Sequence, residues 1–340
     1  MLRGKWNSIT DVPGVKIGHV TMDEQLQDGE AICTGVTSIL PHSGNLFEQK
    51  VPAASFVLNG FGKTAGLIQV EELGVIESPI MLTNTFSVGA VLEGTLSYML
   101  DENRSIGDSS SSLNVVVGEC NDSYLNSMRL MKVRPTHAIE AIKNANGGPI
   151  EQGAVGAGKG MICFGMKGGI GSSSRVIQKD GITYTVGVLT LTNFGKVEEC
   201  KIREWLKSVG NETSDTTPQS YADDIKPDGS VIIVVATDAP VNERQLKRFA
   251  KRAAIGLGRT GTHIHNGSGD IIIAFSNGFT IPHTCKKMTV AYELLRDDHP
   301  IMNKLFQAVI EATEEAVYQS LIHAETTTGR HGRVVKKWPK

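Results

Sequence analysis

The chain has 340 residues, enough for one large domain or two of medium size. Hydrophobic residues make up 40% of it and charged residues 21%, which is usual for a soluble globular protein with a substantial core. The formal net charge of −2 argues against a broad phosphate-binding surface, so nucleic acid is not an expected partner.

Targeting and redox signals are absent from the sequence. The N-terminus has no apolar run of secretory length, and no window approaches the roughly 20 apolar residues that cross a bilayer. The five cysteines are odd in number, widely spaced and form no CxxC pair. We therefore expect a cytoplasmic protein with reduced thiols, no membrane partner and no disulfide framework.

Short apolar runs and helical spacings alternate through the first 150 residues. Apolar runs bounded by turn residues predict strands at residues 15–20, 32–40, 53–58, 79–83 and 113–117. Apolar side chains at helical spacing predict helices at residues 67–73, 87–99 and 135–144.

The next part of the chain leads into one clear change of composition. Residues 161–166 and 182–192 are predicted to pair as strands around a polar turn at residues 178–181. An amphipathic helix is predicted at residues 197–208. Residues 210–229 are polar and contain two prolines, which predicts an exposed, mobile segment.

Regular structure is predicted again directly after this polar segment. Apolar runs predict strands at residues 230–236 and 270–276, and helical spacing predicts a long helix at residues 302–321. Another helix is predicted to start near Pro240 with Asp238 as its cap. The basic tail after Thr326 is predicted to be frayed.

These elements predict one α+β domain. The apolar runs are too continuous for sheets with one wet face, which favours sheets covered by helices. The polar segment is not a convincing domain boundary, because the strands and helices after it are too few for a core of their own.

Ser230 is the first candidate catalytic residue, because it stands at the entrance of a predicted buried strand. Gly229 has no Cβ, so the Ser230 hydroxyl could approach the preceding carbonyl with little obstruction. Attack would give an ester, and hydrolysis would release an α-amine on Ser230. Such an amine titrates at about pH 7.7–8.0 and can act as a base for its own hydroxyl. An ordinary Asp-Gly-Ser turn would explain the same residues.

Ser268 and Asp270 form a second candidate site. They are two residues apart, so in an extended segment both side chains would lie on one face, where they could hold a proton near a nucleophile. A polar strand entry with an Asx turn is the alternative. His263 and His265 could suggest a metal, but no carboxylate or cysteine stands at a persuasive ligand spacing, so no metal is expected.

Two further candidates follow predicted strands. Asn193 could donate its side-chain amide to a developing oxyanion, or it could form a turn. Glu119 could bind a substrate ammonium group, or it could cap a loop. A nearby glycine-rich stretch resembles a phosphate-binding loop, but Gly160 stands where that motif needs Ser or Thr. The stretch is therefore predicted to be a turn packed against a sheet.

Six motifs in chain order resemble the DmpA-type self-processing aminopeptidases, a family that includes L-aminopeptidase/D-esterases and β-peptidyl aminopeptidases. The resemblance runs from about residue 8 to residue 320 and so covers nearly the whole chain. The motifs are DVPGVKIGHVT from Asp11, ELG from Glu72, SPIMLTNT from Ser78, KGGIGSSSR from Lys167, DGSVIIVVATDAP from Asp228 and GLGRTG from Gly256.

The resemblance implies a single-domain αββα four-layer sandwich of the DmpA and ornithine-acetyltransferase-like type. It implies self-cleavage between Gly229 and Ser230 into residues 1–229 and 230–340, which stay associated in a homotetramer. It also implies an aminopeptidase without a cofactor, which removes the N-terminal residue from short peptides, amides or esters through an acyl-enzyme. By motif, Ser230 would be the nucleophile, Asn193 the oxyanion-stabilising residue, Ser268 and Asp270 the pair beside the nucleophile, and Glu119 and Asn121 substrate-binding residues.

Two positions depart from the family pattern. Many members carry an aromatic residue where this chain has Asn121, and some have Glu in place of Asp270. Both differences leave open the preference among L-, D- and β-residues. Two other functions also stay open: a related self-processing amidase acting on ω-amides or non-peptide oligomers, and a non-enzymatic binding or assembly protein that retains the fold.

Overall fold

A computed structural model describes residues 1–210 and 229–339. The strands are β1 (Lys16–Gln25), β2 (Ala31–Leu40), β3 (Gln49–Gly60), β4 (Val75–Ile76), β5 (Ile80–Asn84), β6 (Val116–Cys120), β7 (Ile162–Cys163), β8 (Met166–Lys167), β9 (Ile170–Lys179), β10 (Ile182–Asn193), β11 (Ser230–Thr237), β12 (Gly269–Ser276), β13 (Ile281–Pro282), β14 (Thr327–Thr328) and β15 (Val334–Val335). The helices are α1 (Leu67–Leu73), α2 (Val88–Glu102), α3 (Pro135–Lys143), α4 (Ile202–Ser208), α5 (Glu243–Arg259) and α6 (Ile301–Ile322).

The smaller of the two main sheets has four strands in the order β1-β2-β5-β6. Adjacent strands of this sheet run antiparallel, except β5 and β6, which run parallel to each other. Helices α2 and α3 cover its outer face. Val91 of α2 and Ala141 of α3 are buried in one cluster with Val36 and Val117 of the sheet.

The larger sheet has seven strands, in the order β13-β3-β12-β11-β10-β9, with β4 paired to β3. Strand β11 lies in its interior, antiparallel to β10 and parallel to β12. Every residue of β11 is buried, as expected for a central strand with both faces covered. Helices α5 and α6 pack on its outer face, where Phe249 and Val309 meet Val231, Ile233 and Val235.

The inner faces of the two sheets pack against each other. Ile39 and Leu82 of the small sheet share a buried cluster with Leu191, Ile232 and Ile273 of the large one. The order of layers is therefore helices, sheet, sheet, helices, which confirms the αββα prediction.

Residues 162–193 pair differently from the prediction. Strand β10 pairs with β9, and the segment predicted as its partner forms the short hairpin β7–β8 instead. Three serines made the true partner look like a loop in the sequence. They are fully buried in β9 because hydrogen bonds satisfy their hydroxyl groups, for example Ser172 Oγ with the carbonyl of Val188 at 2.7 Å.

Two other predictions were wrong. Helix α5 is capped by Asn242, whose side chain accepts from the N–H of Gln245 at 3.0 Å, while Asp238 accepts from the N–H of Thr185 at 2.7 Å on β10. The basic tail is not frayed, since β14 and β15 pair and Val335 is fully buried.

The polar segment predicted at residues 210–229 lies outside the described residues except at its two ends. In the part of the chain that is described, no helix has both the length and the apolar character needed to cross a membrane.

Candidate active site

Ser230 is the first residue of β11 and is 5% exposed. Its neighbours in the register are Asn193 at the end of β10 and Gly269 at the start of β12. Alternation along β11 directs Ser230, like Ile232, to the face between the two sheets, where the Cys120 thiol of β6 lies beside it. Within the described residues the buried Ser230 hydroxyl has no hydrogen-bond partner.

The carbonyl that precedes Ser230 is already polarised. Gly229 O accepts a hydrogen bond from the N–H of Gly269 at 3.2 Å. A Cβ on Gly229 would lie 2.6 Å from Asn193 O and 2.7 Å from Phe194 Cα, so only glycine fits here without a shift. The Gly229–Ser230 peptide is thus held tightly between β10 and β12.

Asn193 has a fixed side-chain orientation. Its Oδ1 accepts from the N–H of Ile162 at 3.0 Å, and its Nδ2 donates to the carbonyl of Asn121 at 2.9 Å. An amide nitrogen carries two hydrogens, so one N–H of Asn193 is left to donate. The side chain of Asn121 forms a local turn by accepting from the N–H of Ser123 at 2.9 Å, so its contact with Asn193 is made by the backbone.

The structure brings Ser268 and Asp270 into direct contact. Ser268 Oγ donates to Asp270 Oδ1 at 2.8 Å, and Asp270 Oδ2 is buried without a partner among the described residues. Burial raises the pKa of Asp270 to about 6, against the opposing effects of the Ser268 hydrogen bond and of His265. Because side chains alternate along β12, Asp270 lies on the opposite sheet face from Ser230. The pair therefore lies at the start of the strand next to Ser230, with Asp270 on the face away from the Ser230 hydroxyl.

Glu119 is 4% exposed at the end of β6. Its Oε1 accepts from the N–H of Lys63 at 2.8 Å, and its Oε2 accepts from Thr85 Oγ1. A Cβ on Gly62 would lie 3.6 Å from Glu119 Oε1 and 3.8 Å from Gly269 Cα, so this carboxylate and the start of β12 both lie close to Gly62. Because Gly269 is the register partner of Ser230, the carboxylate lies near the Gly229–Ser230 bond.

Several residues of the site were not singled out from the sequence. Asn59 Nδ2 donates to the carbonyls of His265, Asn266 and Ser268, and so holds the turn that leads into β12. Thr85, which donates a hydrogen bond to Glu119, belongs to the motif that begins at Ser78, and that motif is the sequence signal that could have identified it. The contacts of Lys63 and Ile162 are made by backbone N–H groups, which no side-chain pattern reveals.

His265, one of the two histidines that precede β12, lies against a carboxylate, with its Nε2 2.9 Å from Glu199 Oε1. Among the described residues no group of three or more His, Cys, Asp or Glu side chains is arranged to hold a metal ion.

The four layers, with a serine first on a central strand, define a hydrolase of the N-terminal nucleophile type. The chain belongs to peptidase family S58, whose model matches residues 7–335. It is 37% identical to the β-peptidyl aminopeptidase BapA of Sphingosinicella microcystinivorans over 99% of this chain and 86% of that protein.

Two solved structures are similar to the whole chain. The PH0078 protein of Pyrococcus horikoshii OT3 is 46% identical with a TM-score of 0.88, covering 99% of this chain and 93% of that one. The L-aminopeptidase D-Ala-esterase/amidase of Ochrobactrum anthropi is 32% identical with a TM-score of 0.87, covering 99% and 92%. The latter is described as a prototype of the serine aminopeptidases with a variant of the Ntn hydrolase fold. These similarities confirm the predicted family and the serine aminopeptidase class, and they give no support to a non-enzymatic protein.

Proposed function

We propose that this chain cleaves itself between Gly229 and Ser230, and that the new N-terminal Ser230 removes the N-terminal residue from short peptides, amides or esters. The observation that carries the proposal is the buried, unpartnered Ser230 hydroxyl at the start of β11, next to a carbonyl polarised by Gly269. The Cys120 thiol beside it is only a weak hydrogen-bonding group, so the hydroxyl is available to attack.

Self-cleavage would proceed through an ester. Ser230 Oγ attacks the Gly229 carbonyl carbon, the C–N bond breaks, and the proton of the hydroxyl is passed to the departing nitrogen. The N–H of Gly269, already on Gly229 O, stabilises the negative charge that develops there. Water then hydrolyses the ester, which leaves a carboxylate on Gly229 and an α-amine on Ser230.

The liberated amine is the general base in turnover. It takes the proton of Ser230 Oγ as the hydroxyl attacks the substrate carbonyl, and it returns the proton to the leaving amine. Ser268 and Asp270 lie on either side of Gly269, the register partner of Ser230, so the hydrogen-bonded carboxylate is placed to hold and orient this amine. The remaining N–H of Asn193 stabilises the oxyanion of the substrate.

Glu119 gives a physical reason for aminopeptidase selectivity. Its two oxygens accept one hydrogen bond each from Lys63 and Thr85, and a carboxylate has about four acceptor positions. The remaining positions can accept the N-terminal ammonium group of a substrate. Substrates without a free amine would leave this buried charge uncompensated.

The first experiment compares wild type with Ser230→Ala. On a denaturing gel, wild type should give two bands near the masses of residues 1–229 and 230–340, while Ser230→Ala gives one band and no turnover. A sulfonyl fluoride should label Ser230 in wild type alone. A panel of amino-acid p-nitroanilides and ω-amide oligomers then identifies the substrate class. An unbroken, active wild-type chain contradicts the proposal. The homotetramer stays a proposal, which sedimentation of the cleaved protein tests.

A further inference from the structure

A buried lysine near the active site takes no part in the proposed cleavage and turnover steps. Lys167 lies on β8 with its side chain fully buried. Its ammonium donates to three backbone carbonyls: Met161 O at 2.7 Å, Gly168 O at 2.8 Å and Gly158 O at 3.0 Å. These three bonds use all three N–H donors of the ammonium group.

No acidic side chain neutralises this charge within the described residues. The nearby carboxylate of Asp23 is paired with a different lysine, Lys159, at 2.7 Å. Burying a charged group without a partner of opposite charge is costly, so its retention calls for a reason other than packing.

The carbonyl of Met161 links Lys167 to the active site. Met161 O and the N–H of Ile162 belong to one peptide group, and that N–H donates to Asn193 Oδ1 at 3.0 Å. Ile162 and Lys167 also face each other in the β7–β8 register, so the hairpin brings the charge to this peptide. The row of contacts therefore runs from the ammonium through one peptide group to the Asn193 amide.

Such a row transmits polarisation. A cation on the carbonyl oxygen makes the peptide N–H a stronger donor, and a strong donor on Asn193 Oδ1 makes the Nδ2 hydrogens stronger donors in turn. The free Nδ2 hydrogen is the one that would meet the substrate oxyanion. The effect is largest where the site is shielded from water, as it is around a fully buried lysine.

We propose that Lys167 is a positioning and polarising residue for the oxyanion site, which acts on the reaction only through Asn193. This inference rests on the proposed function, because it needs Asn193 to stabilise an oxyanion. It assigns to Lys167 a part in turnover that is separate from self-cleavage, where the N–H of Gly269 already contacts the scissile carbonyl.

The protonation of Lys167 offers a test that requires no change at this buried position. Burial, followed by the charge of Lys159, lowers the pKa of Lys167 to about 7, while Cys33, Cys163 and Asp23 oppose the shift. Raising the pH through 7 therefore removes the charge. The ratio of kcat for wild type to kcat for Asn193→Ala isolates the contribution of Asn193, because titration of the Ser230 amine affects both proteins. This ratio should fall several-fold between pH 6 and pH 9, and a constant ratio would overturn the inference.

A double-mutant cycle gives the second test. Lys167→Met should lower kcat by about 5- to 20-fold at pH 6.5, with KM changed less than about twofold. In the Asn193→Ala background the same substitution should lower kcat by less than about twofold, as expected for residues that act as a unit. Lys167→Gln, which keeps donors without the charge, should resemble Lys167→Met. Lys50→Met, at a partly buried lysine paired with Glu77 elsewhere, is the matched control and should leave kcat unchanged.

The outcomes separate the two proposals. Equal losses in both backgrounds would mean that Lys167 acts independently of Asn193, and the inference would be wrong while the proposed function stands. If Asn193→Ala has wild-type kcat, or if wild type is an unbroken chain, the proposed function itself fails. Should the Lys167 variants not fold, the pH dependence of the wild-type to Asn193→Ala ratio still decides.

Discussion

Two buried polar atoms at the starts of β11 and β12, Ser230 Oγ and Asp270 Oδ2, lack a hydrogen-bond partner among the described residues. Each such group costs roughly 1–3 kcal/mol of stability relative to a satisfied one. A site that needs a free hydroxyl and a free carboxylate oxygen for an incoming amine explains both. At the scale of single residues, the active site is therefore one of the places where stability is given up.

A substitution at Gly229 tests how tightly the Gly229–Ser230 peptide is held between β10 and β12. In Gly229→Ala the new Cβ would lie 2.6 Å from Asn193 O, so the peptide must move away from the N–H of Gly269. We expect self-cleavage to slow by about 100- to 1000-fold, in line with the loss of an oxyanion donor. Densitometry of the two bands over time after synthesis measures this. Gly258→Ala, on helix α5, controls for the loss of a glycine, because a Cβ there would have no neighbour within 4 Å. Cleavage of Gly229→Ala at the wild-type rate would contradict the geometry.

Asp122 predicts a pH-dependent stability. Burial raises its folded-state pKa to about 7 from an ordinary value of 3.8. Between these values the folded protein binds more protons than the unfolded chain, so the Asp122 contribution, fully present below pH 3.8, is lost as pH rises through 7. Asp122→Asn removes this dependence. Its stability relative to wild type should rise by roughly 1–3 kcal/mol from pH 5 to pH 8, since one pKa unit is worth about 1.4 kcal/mol. Urea unfolding at both pH values measures this, and an equal difference at both would refute it.

At the scale of elements, β11 has hydrogen-bonded neighbours on both sides, and α6 is tied to β9 by an ion pair. Arg175 Nη2 contacts Glu315 Oε2 at 2.7 Å, and Arg3 Nη2 contacts Glu315 Oε1 at 2.8 Å. The Glu315 side chain has no exposed area. The N-terminal segment through Arg3, strand β9 through Arg175 and helix α6 therefore meet at the buried Glu315 carboxylate.

Removing the Glu315 carboxylate should weaken the packing of helix α6 on the large sheet. Glu315→Gln leaves the buried Arg175 guanidinium with the Glu311 carboxylate, at 3.2 Å, as its remaining ionic partner, so the free energy of unfolding should fall by up to about 3–5 kcal/mol. Glu314→Gln is the matched control on the same helix, because Glu314 pairs with a half-exposed Arg259 at 3.5 Å and should cost under about 1 kcal/mol. Urea denaturation of the three proteins compares them, and similar losses in both variants would contradict this role.

Elements with strong periodicity were predictable from the sequence, and pairings were less so. Helix α1 was predicted with its observed bounds, and α6 within one residue of them at each end, because their apolar spacing is unambiguous. Strand β9 was missed since its serines are satisfied by distant partners that sequence does not show. In the site, the spacing of Ser268 and Asp270 predicted side chains on one face but left an Asx turn open, and the family resemblance decided between them. The backbone donors on Asn193 and Glu119 depend on loops whose course only the fold defines.

At the scale of the whole molecule, the proposed cut lies inside the large sheet. Strand β11 would belong to one product, while its neighbour β10 and the edge strand β9 belong to the other. Helices α5 and α6 of the second product cover strands of both. The two products of the proposed cleavage would therefore share one core.

This arrangement predicts that cleavage does not release either piece. The cleaved protein should elute as a single species in size-exclusion chromatography, with both bands in every fraction of the peak. They should separate only at denaturant concentrations that also abolish the far-ultraviolet circular dichroism signal, because separation exposes the core between the sheets. Elution as two species in native buffer would contradict the shared core.

The position of Gly229 between β10 and β12 has a consequence for when the enzyme becomes active. The scissile carbonyl gains its polarising N–H from Gly269, which lies about 40 residues further along the chain. A nascent or misfolded polypeptide lacks that neighbour and so carries no reactive amine. On the proposed mechanism, cleavage after Gly229 therefore occurs only once β12 has folded into the large sheet. The cell is not exposed to an active peptidase before that point.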